Sequence, residues 1–321
     1  DRLGNLSLRA ALFSKGDFMR IAVIGAGAMG SIYGGRLSQH NEVILVDTNQ
    51  DIVEHINKNG LLIDENGTTG RYHPHAVCHT EKEQPADLVI VFVKALFSRN
   101  ALEQNRSLIG SDTRLMTLQN GAGHEDLLKE FVSEDHIVIG TTEDNGAVLG
   151  PGHVRRGGTG VTNLGMLTED AGQFLNHLKE VFDSCGFQIK IHDNIQKLIW
   201  DKLFTNVSLS ALTGILQVDM GYIAADAYAW KLCCQLIHET IEAAAAAGLV
   251  FDEAAVIEKV KNTSIQNPNG CTSIRADLRD GRRTEVDTIS GAVVRTAKKY
   301  HVAVPGHEFV VTMIHAMEGR N

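Results

Sequence analysis

A chain of 321 residues is too long for one small core and predicts two domains. With 43% hydrophobic and 21% charged residues it has the composition of a soluble globular protein. Its formal net charge of −9 argues against nucleic-acid binding, which needs a basic face to release phosphate counterions, although local lysines and arginines can still build a pocket for a small anion.

No apolar run reaches the roughly 18 residues needed to span a bilayer, so no membrane partner is expected. Residues 1–18 stand ahead of Met19, which directly abuts the first strand. Their "LSLRAALF" is apolar but short and lacks a small-residue cleavage site. It reads as an added or upstream-translated leader rather than a secretory signal, and the fold is read from Met19 onward.

From Arg20 the pattern is strand, helix, strand. "RIAVIGA" and "EVILVD" are short apolar runs rich in β-branched residues, as strands buried on both faces should be. "GLLIDENGTTGRYHPHAVC" places an Asn66-Gly67 turn between strand-like flanks and reads as a hairpin. "ADLVIVFVK", "TRLMTLQNG" and "HIVIGTTED" are further buried strands, and the alternation with helical segments predicts a mostly parallel, doubly wound sheet. The Gly-rich "GAVLGPGHVRRGGTGVTNLG" suits antiparallel strands at the edge of that sheet. After "FQIKIHDN" the character becomes helical: "IQKLIWDKLFTNVSLSALTGIL", "AWKLCCQLIHETIEAAAAAGL" and "TEVDTISGAVVRTAKKYH" follow in turn. The expected fold class is therefore α/β: a Rossmann-type, doubly wound, mostly parallel sheet over residues 19–194, then an all-helical domain over 195–321, with the active site in the cleft between them.

The five cysteines (Cys78, Cys185, Cys233, Cys234 and Cys271) are odd in number and show no paired spacing, which suits a reducing cytoplasm. His73, His75 and His79 lie close together in sequence, but they read as surface histidines and no metal is expected.

Gly25-Ala26-Gly27-Ala28-Met29-Gly30 is a G-x-G-x-x-G that follows a strand and opens a helix, the context that gives this spacing meaning. Gly25 allows the tight turn, Gly27 lets backbone approach a pyrophosphate, and Gly30 lets helix and strand pack closely. The helix N-terminus then faces the phosphates. Asp47 comes 22 positions after Gly25, near the ~20 expected for a ribose-binding acid. A carboxylate there accepts from both ribose hydroxyls and repels a 2′-phosphate, which favours NAD(H) over NADP(H). If Asp47 instead caps the following helix, a basic residue from elsewhere could serve NADP(H).

Further pieces follow in order: "VFVKAL" (Val91–Leu96), "LQNGAG" (Leu118–Gly123), "GTT" (Gly140–Thr142), "WDKLFTN" (Trp200–Asn206) and "SIRADLRDGRRTEVDTISG" (Ser273–Gly291). With the glycine loop, this set resembles the ketopantoate reductase (2-dehydropantoate 2-reductase) family from Met19 to about Pro305. The resemblance implies reduction of a 2-oxo acid to the (R)-2-hydroxy acid by a nicotinamide cofactor. Lys202 then looks like the general acid, oriented and kept charged by Glu285. Asn206 looks like its partner on the substrate oxygen, and Ser273 like the residue that bonds the substrate carboxylate. Asn120 matches the asparagine beside nicotinamide and substrate, and Lys94 the lysine near the cofactor.

The residues carry this chemistry on their own terms as well. Hydride delivery to a ketone needs a group that stabilises the developing alkoxide and protonates it. Lys202, Asn206 and Ser210 stand at i, i+4 and i+8, a polar stripe on an otherwise apolar segment. Thr284 and Asp287 form a capping-box-like pair that would start a helix over Glu285–Tyr300, with Glu285 in its first turn.

Two features depart from the family. NADPH-using members commonly carry a basic residue where this chain has Asp47, and a second Asn where it has Ser210. Both fit an NAD-dependent (R)-2-hydroxyacid dehydrogenase acting on bulky branched or aromatic 2-oxo acids. A β-hydroxyacid dehydrogenase, which also places Lys and Asn four apart on a helix, and a non-catalytic dinucleotide sensor are more distant alternatives. The helical second domain is compatible with a homodimer or a monomer, and no heptad pattern is present.

Overall fold

The computed structural model describes residues 18–158, 160–169 and 174–319, so the expected leader, apart from Phe18, lies outside the described residues. Chain contacts divide it into two units. One takes the described residues up to Gln119 and then Glu125–Ile195; the other takes Asn120–His124 and everything from Gln196 onward.

The first unit alternates strands and helices. β1 (Arg20–Ile24) leads through α1 (Ala28–Leu37) to β2 (Glu42–Val46), and α2 (Gln50–Asn59) leads on to the hairpin β3 (Leu61–Glu65) and β4 (Thr68–Tyr72). β5 (His75–Val77), β6 (Leu88–Val91), α3 (Ser98–Gln104), β7 (Arg114–Thr117), α4 (His124–Leu128, whose first residue belongs to the second unit) and β8 (Ile137–Thr142) follow. The unit closes with β9 (Gly146–Gly150), β10 (His153–Arg156), β11 (Val161–Met166), α5 (Phe174–Ser184) and β12 (Gln188–Ile191). Eight strands form one sheet in the order β12-β11-β8-β7-β6-β1-β2-β5. The run from β8 to β5 is parallel throughout, and β11 joins β8 antiparallel. Ile21, Ala22, Val23, Leu45, Leu88 and Ile90 have no measurable exposure, as strands covered on both faces require.

Asn66 and Gly67 both take positive φ (52° and 78°), the type I′ geometry that turns β3 into β4. The Gly-rich stretch departs from expectation. β9 and β10 pair antiparallel, but they join β3 and β4 in a separate sheet of order β4-β3-β10-β9, and only β11 enters the main sheet. This small sheet lies close on α1: a Cβ at Gly146 would stand 2.5 Å from Ile32, and one at Gly35 would stand 2.8 Å from Leu61.

A buried polar knot ties the two sheets to α1. The Arg156 guanidinium donates to both Asp144 carboxylate oxygens (2.8 and 3.0 Å) with neither side chain exposed, and reaches Glu65 at 3.0 Å. Tyr33, wholly buried on α1, puts its hydroxyl between Thr142 (3.1 Å) and Thr162 (2.7 Å). Burial pushes the Tyr33 phenol far above its ordinary value, against the pull of those two hydroxyls, so it stays protonated.

The second unit is helical: α6 (Ile195–Thr205, whose first residue still belongs to the first unit) continues through a π-helical segment (Asn206–Ser210) into α7 (Ala211–Leu216). Then come α8 (Met220–Ala225), α9 (Ala227–Ala246), α10 (Glu253–Gln266), α11 (Ser273–Arg279), α12 (Ser290–Tyr300) and α13 (Pro305–Glu318). Asp226, Asp252 and Thr272 cap α9, α10 and α11 with their side chains. α9 runs through the middle and packs on α8, α10, α12 and α13. The helix expected over Glu285–Tyr300 begins only at Ser290, and residues 285–289 form a turn. Among the described residues no helix is long and apolar enough to cross a membrane.

Arg156→Ala leaves the Asp144 carboxylate buried without its cation, so denaturant unfolding should show a loss of about 3–5 kcal/mol. A loss below about 1 kcal/mol would show that the knot does not hold the sheets.

Candidate active site

The register of the parallel strands sets the cofactor side. Ile24 stands opposite both Val46 and Val91, and Val91 opposite Thr117, so the strands β2, β1, β6 and β7 end at one level. The segments that follow carry the glycine loop, Asp47, Lys94 and the start of the Asn120 loop along the carboxyl edge, where doubly wound sheets bind ligands. Gly25 takes φ +105° and donates to Val46 O (2.8 Å). A Cβ on Gly30 would lie 1.7 Å from Gly25 O, so helix and loop approach this closely only with glycine there. Gly27 is the N-cap of α1 with no side-chain cap, and a Cβ there would meet nothing within 4 Å. The N-terminus of α1 thus carries no side-chain cap, as a pyrophosphate cradle requires.

Asp47 does not cap α2; Asn49 does, accepting from Asp51 and Ile52 N–H. Instead Asp47 Oδ2 accepts from Ala26 N (2.8 Å) in the glycine loop, and Oδ1 from Asn49 N (2.9 Å). Each oxygen keeps a lone pair, enough for the two hydroxyls of a ribose. A cavity of about 760 Å³ opens beside it, lined among others by Gly25, Asp47, Cys78, His79, Glu81 and Asn105. Among the described residues no lysine or arginine lines this cavity, and Glu81 adds a second acid. A helix N-terminus with no side-chain cap, a pre-set carboxylate and this volume together fit a dinucleotide. Burial first, and then the charges of Asp47 and Glu54, raise the Cys78 thiol above its ordinary value, which disfavours the thiolate. Lys94 begins the turn after β6; the preceding Val93 carbonyl is held by the Gln119 amide (2.5 Å), which also bonds Ser98 (2.8 Å). The cavity wall drawn from residues 78–81 and 97–105 was not legible in the sequence, since no motif marks it.

The other candidates belong to the second unit: Lys202, Asn206, Ser210, Ser273, Glu285 and also Asn120. Lys202 lies in the last turn of α6, and the π segment begins at Asn206. At 3.6 residues per turn an i, i+4 stripe drifts around an α-helix. The wider i→i+5 turn rotates less per residue and counters that drift, and π-bulges recur at functional sites for such reasons. Ser210 is buried, and its hydroxyl accepts from Ile274 N (3.5 Å), which joins the stripe to the start of α11, where Ser273 is exposed. Gly214 permits this approach, since a Cβ there would sit 2.5 Å from Ile274. Ser210 thus serves an interhelical contact, a use its place in the stripe did not disclose.

Thr284 and Asp287 do not cap a helix. The Thr284 N–H and hydroxyl both donate to Glu318 Oε1 (2.7 Å each), while His315 at the end of α13 pairs with Asp287 (3.0 Å) and Glu318 (2.9 Å). The Thr288 carbonyl accepts from Ala122 N (2.9 Å), and this diversion of the backbone delays the helix to Ser290. The Glu285 turn is therefore clamped from one side by α13 and from the other by the Asn120 loop. His315 is held above its ordinary value, by Glu318 first and by Asp287 next. Burial would raise the Glu318 carboxyl, but the Thr284 N–H, His315 and the Thr284 hydroxyl hold it low.

Together these halves define a class: nicotinamide-dependent oxidoreductases acting on a CH–OH group, with a glycine-loop dinucleotide site and a helical unit that bears a lysine. Comparison with known proteins narrows this. The family model "Ketopantoate reductase PanE/ApbA" matches residues 21–169, and "Ketopantoate reductase PanE/ApbA C terminal" matches residues 194–318. The 2-dehydropantoate 2-reductase of Lactococcus lactis subsp. lactis is 32% identical over 306 residues, covering 94% of this chain and 98% of its own. A D-mandelate dehydrogenase solved with NADH and anilino(oxo)acetate is 33% identical with a TM-score of 0.85, over 94% of this chain and 98% of that one. The 2-dehydropantoate 2-reductase of Geobacter metallireducens superposes with a TM-score of 0.83 at 27% identity, over 92% of this chain and 99% of that one. The chain belongs to the ketopantoate reductase family.

Because a Cβ at position 27 would meet nothing within 4 Å among the described residues, Gly27→Ala should fold with an unchanged melting temperature yet lose at least about tenfold in dinucleotide affinity by fluorescence titration. Unchanged affinity would remove the phosphates from this loop. The His315 clamp carries its own pH signature. A raised folded-state pKa gives stability that is complete below the unfolded value near 6.5 and is lost as pH rises through the raised value. The lowered Glu318 value works oppositely, so its share is lost only as the solution becomes strongly acidic. The stability gap between the natural protein and His315→Gln should then be wide at about pH 6 and close by about pH 9. A gap constant across that range would sink this assignment.

Proposed function

We propose that the protein reduces the C2 carbonyl of a 2-oxo acid to the (R)-2-hydroxy acid, as 2-dehydropantoate 2-reductases do, with NADH as its preferred cofactor. The observation that carries this reading is Lys202 with Asn206 on one helix, at the mouth of a π segment, in a chain matching the family across both its parts. The amides of Gly27–Gly30 hold the pyrophosphate, Asp47 holds the ribose, and Lys94 and Asn120 serve the nicotinamide side. The bound nicotinamide supplies the hydride. Lys202 donates a hydrogen bond to the carbonyl oxygen, stabilises the charge that grows there as C2 is reduced, and hands over the proton that completes the hydroxyl. Glu285 orients the ammonium, Asn206 bonds the same oxygen, and the Ser273 hydroxyl bonds the substrate carboxylate.

Cofactor preference rests on Asp47 and Glu81. A 2′-phosphate would meet two carboxylates, and among the described residues no lysine or arginine lines the cavity to offset them. This favours a second, narrower reading: an NAD-dependent (R)-2-hydroxyacid dehydrogenase for bulky 2-oxo acids, in line with the D-mandelate dehydrogenase neighbour solved with NADH. Five unbridged cysteines fit a reducing, cytoplasmic setting.

One assay series tests both readings: kcat/KM for ketopantoate and for phenylpyruvate, each with NADH and NADPH, in the natural protein and in Lys202→Ala. NADH should be preferred, and Lys202→Ala should lower kcat by about 10²–10⁴-fold with NADH affinity unchanged. NADH preference with phenylpyruvate favoured selects the dehydrogenase reading, and with ketopantoate favoured the reductase reading. A preference for NADPH refutes the role given to Asp47, and an unaltered turnover in Lys202→Ala refutes that of Lys202.

A further inference from the structure

The Asn120 loop is short and conformationally loose by composition. Gly121 and Gly123 both take positive φ (99° and 83°), and glycine is the residue with most freedom to lose. What pins it is one side chain and one peptide of the Glu285 turn. The Thr288 hydroxyl donates to Asn120 O (3.2 Å) and is shared with Glu285 O (3.2 Å). The Thr288 N–H also donates to Glu285 O (3.1 Å), and the Thr288 carbonyl accepts from Ala122 N (2.9 Å). His124 Nε2 adds a second contact to Asn120 O (2.9 Å). The fit is tight: a Cβ on Gly121 would stand 2.1 Å from Thr288 O. Asn120 and Glu285 are 165 positions apart in sequence, yet both of their carbonyls share one hydroxyl.

We propose that Thr288 is a positioning residue, which sets the Asn120 amide and the Glu285 carboxylate at a fixed mutual placement for the reaction. This rests on the roles given above to Asn120 and Glu285. Productive geometry tolerates little error, and displacements of about 1 Å can cost about 10²-fold in rate. Without the hydroxyl, the Asn120 carbonyl keeps His124 but loses its link to the Glu285 turn. Thr288 itself touches neither substrate nor cofactor in this scheme.

The test compares Thr288→Val, which keeps shape and loses the hydroxyl, with Thr288→Ser, which keeps the hydroxyl, and with Asn120→Ala, Glu285→Gln and the Thr288→Val/Asn120→Ala double variant. The readouts are melting temperature, NADH affinity, and kcat and KM for the 2-oxo acid. Thr288→Val should lose about 3- to 10-fold in kcat/KM, the worth of one hydrogen bond, with melting temperature and NADH affinity unchanged. Thr288→Ser should recover the natural value within about twofold, and the double variant should be no worse than Asn120→Ala alone. If Thr288→Val matches the natural enzyme while Asn120→Ala and Glu285→Gln are impaired, Thr288 has no positioning role and the functional reading stands. Equal impairment of the Ser and Val variants, or fully additive losses in the double variant, also overturns the proposal. If Asn120→Ala and Glu285→Gln are both neutral, the functional reading falls and takes this inference with it.

Discussion

The buried Arg156–Asp144 ion pair is the interaction on which the first unit depends. Ion pairs removed from water return little net stability, since desolvation offsets most of their attraction. Their value here lies in position. Arg156 comes from the small sheet, Asp144 from the segment after β8, Glu65 from β3, and Tyr33 from α1 joins the same network through Thr142 and Thr162. An apolar contact at this point would tolerate several rotations of the small sheet over α1, whereas a bidentate guanidinium–carboxylate pair has one good geometry. The helix fixed this way is the one that the glycine loop opens.

Rigidity is handled differently in the helical unit. The chain there is polar at chosen points of an apolar bundle, and each point doubles as a joint between elements. Ser210 receives the Ile274 N–H, Thr213 meets Thr272 (2.7 Å) at the cap of α11, and Glu318 takes both donors of Thr284. Another joint, buried between α9 and α13, has Glu239 accepting the N–H groups of Gly306 and His307 (3.0 and 3.1 Å). A carboxylate supplied by a neighbouring helix thus does for α13 what a side-chain N-cap does elsewhere. The turn that bears Glu285 inherits its position from α13, and α13 from α9.

Local signals in the sequence were sufficient for the parallel sheet and for the tight glycine turn between β1 and α1. Both rest on short-range rules: β-branched runs for doubly covered strands, glycines at fixed spacing, an acid at the end of β2. Asn66-Gly67 likewise announced its hairpin. The misreadings share one cause, which is that a distant partner overrode a local preference. Thr284 and Asp287 have the spacing of a capping box, yet Glu318 and His315 outbid the local bonds, and the helix starts at Ser290 instead of Glu285. The Gly-rich run after β8 reads as a sheet edge, but β10 finds its partner in β3, some ninety residues earlier in the chain. The π segment at Asn206–Ser210 has no sequence signature, and Asn120 stood in a Rossmann-like stretch with nothing to show that its contacts lie with the helices.

The excursion of residues 120–124 has a bearing on modularity. A chain that changed units once, near Ile195, could be cut there into two pieces, or exchange its helical half with a relative by a single recombination. This one also leaves the first unit at Gln119 and re-enters it at Glu125. A helical half taken from 196 onward would arrive with the Thr288 carbonyl missing its Ala122 donor and the Thr288 hydroxyl missing Asn120. The donor segment, in turn, would remain on the wrong fragment with a glycine shaped to an absent carbonyl. Inheritance of the two halves is therefore coupled through five residues, and a working chimera has to carry that pentapeptide across with the helices.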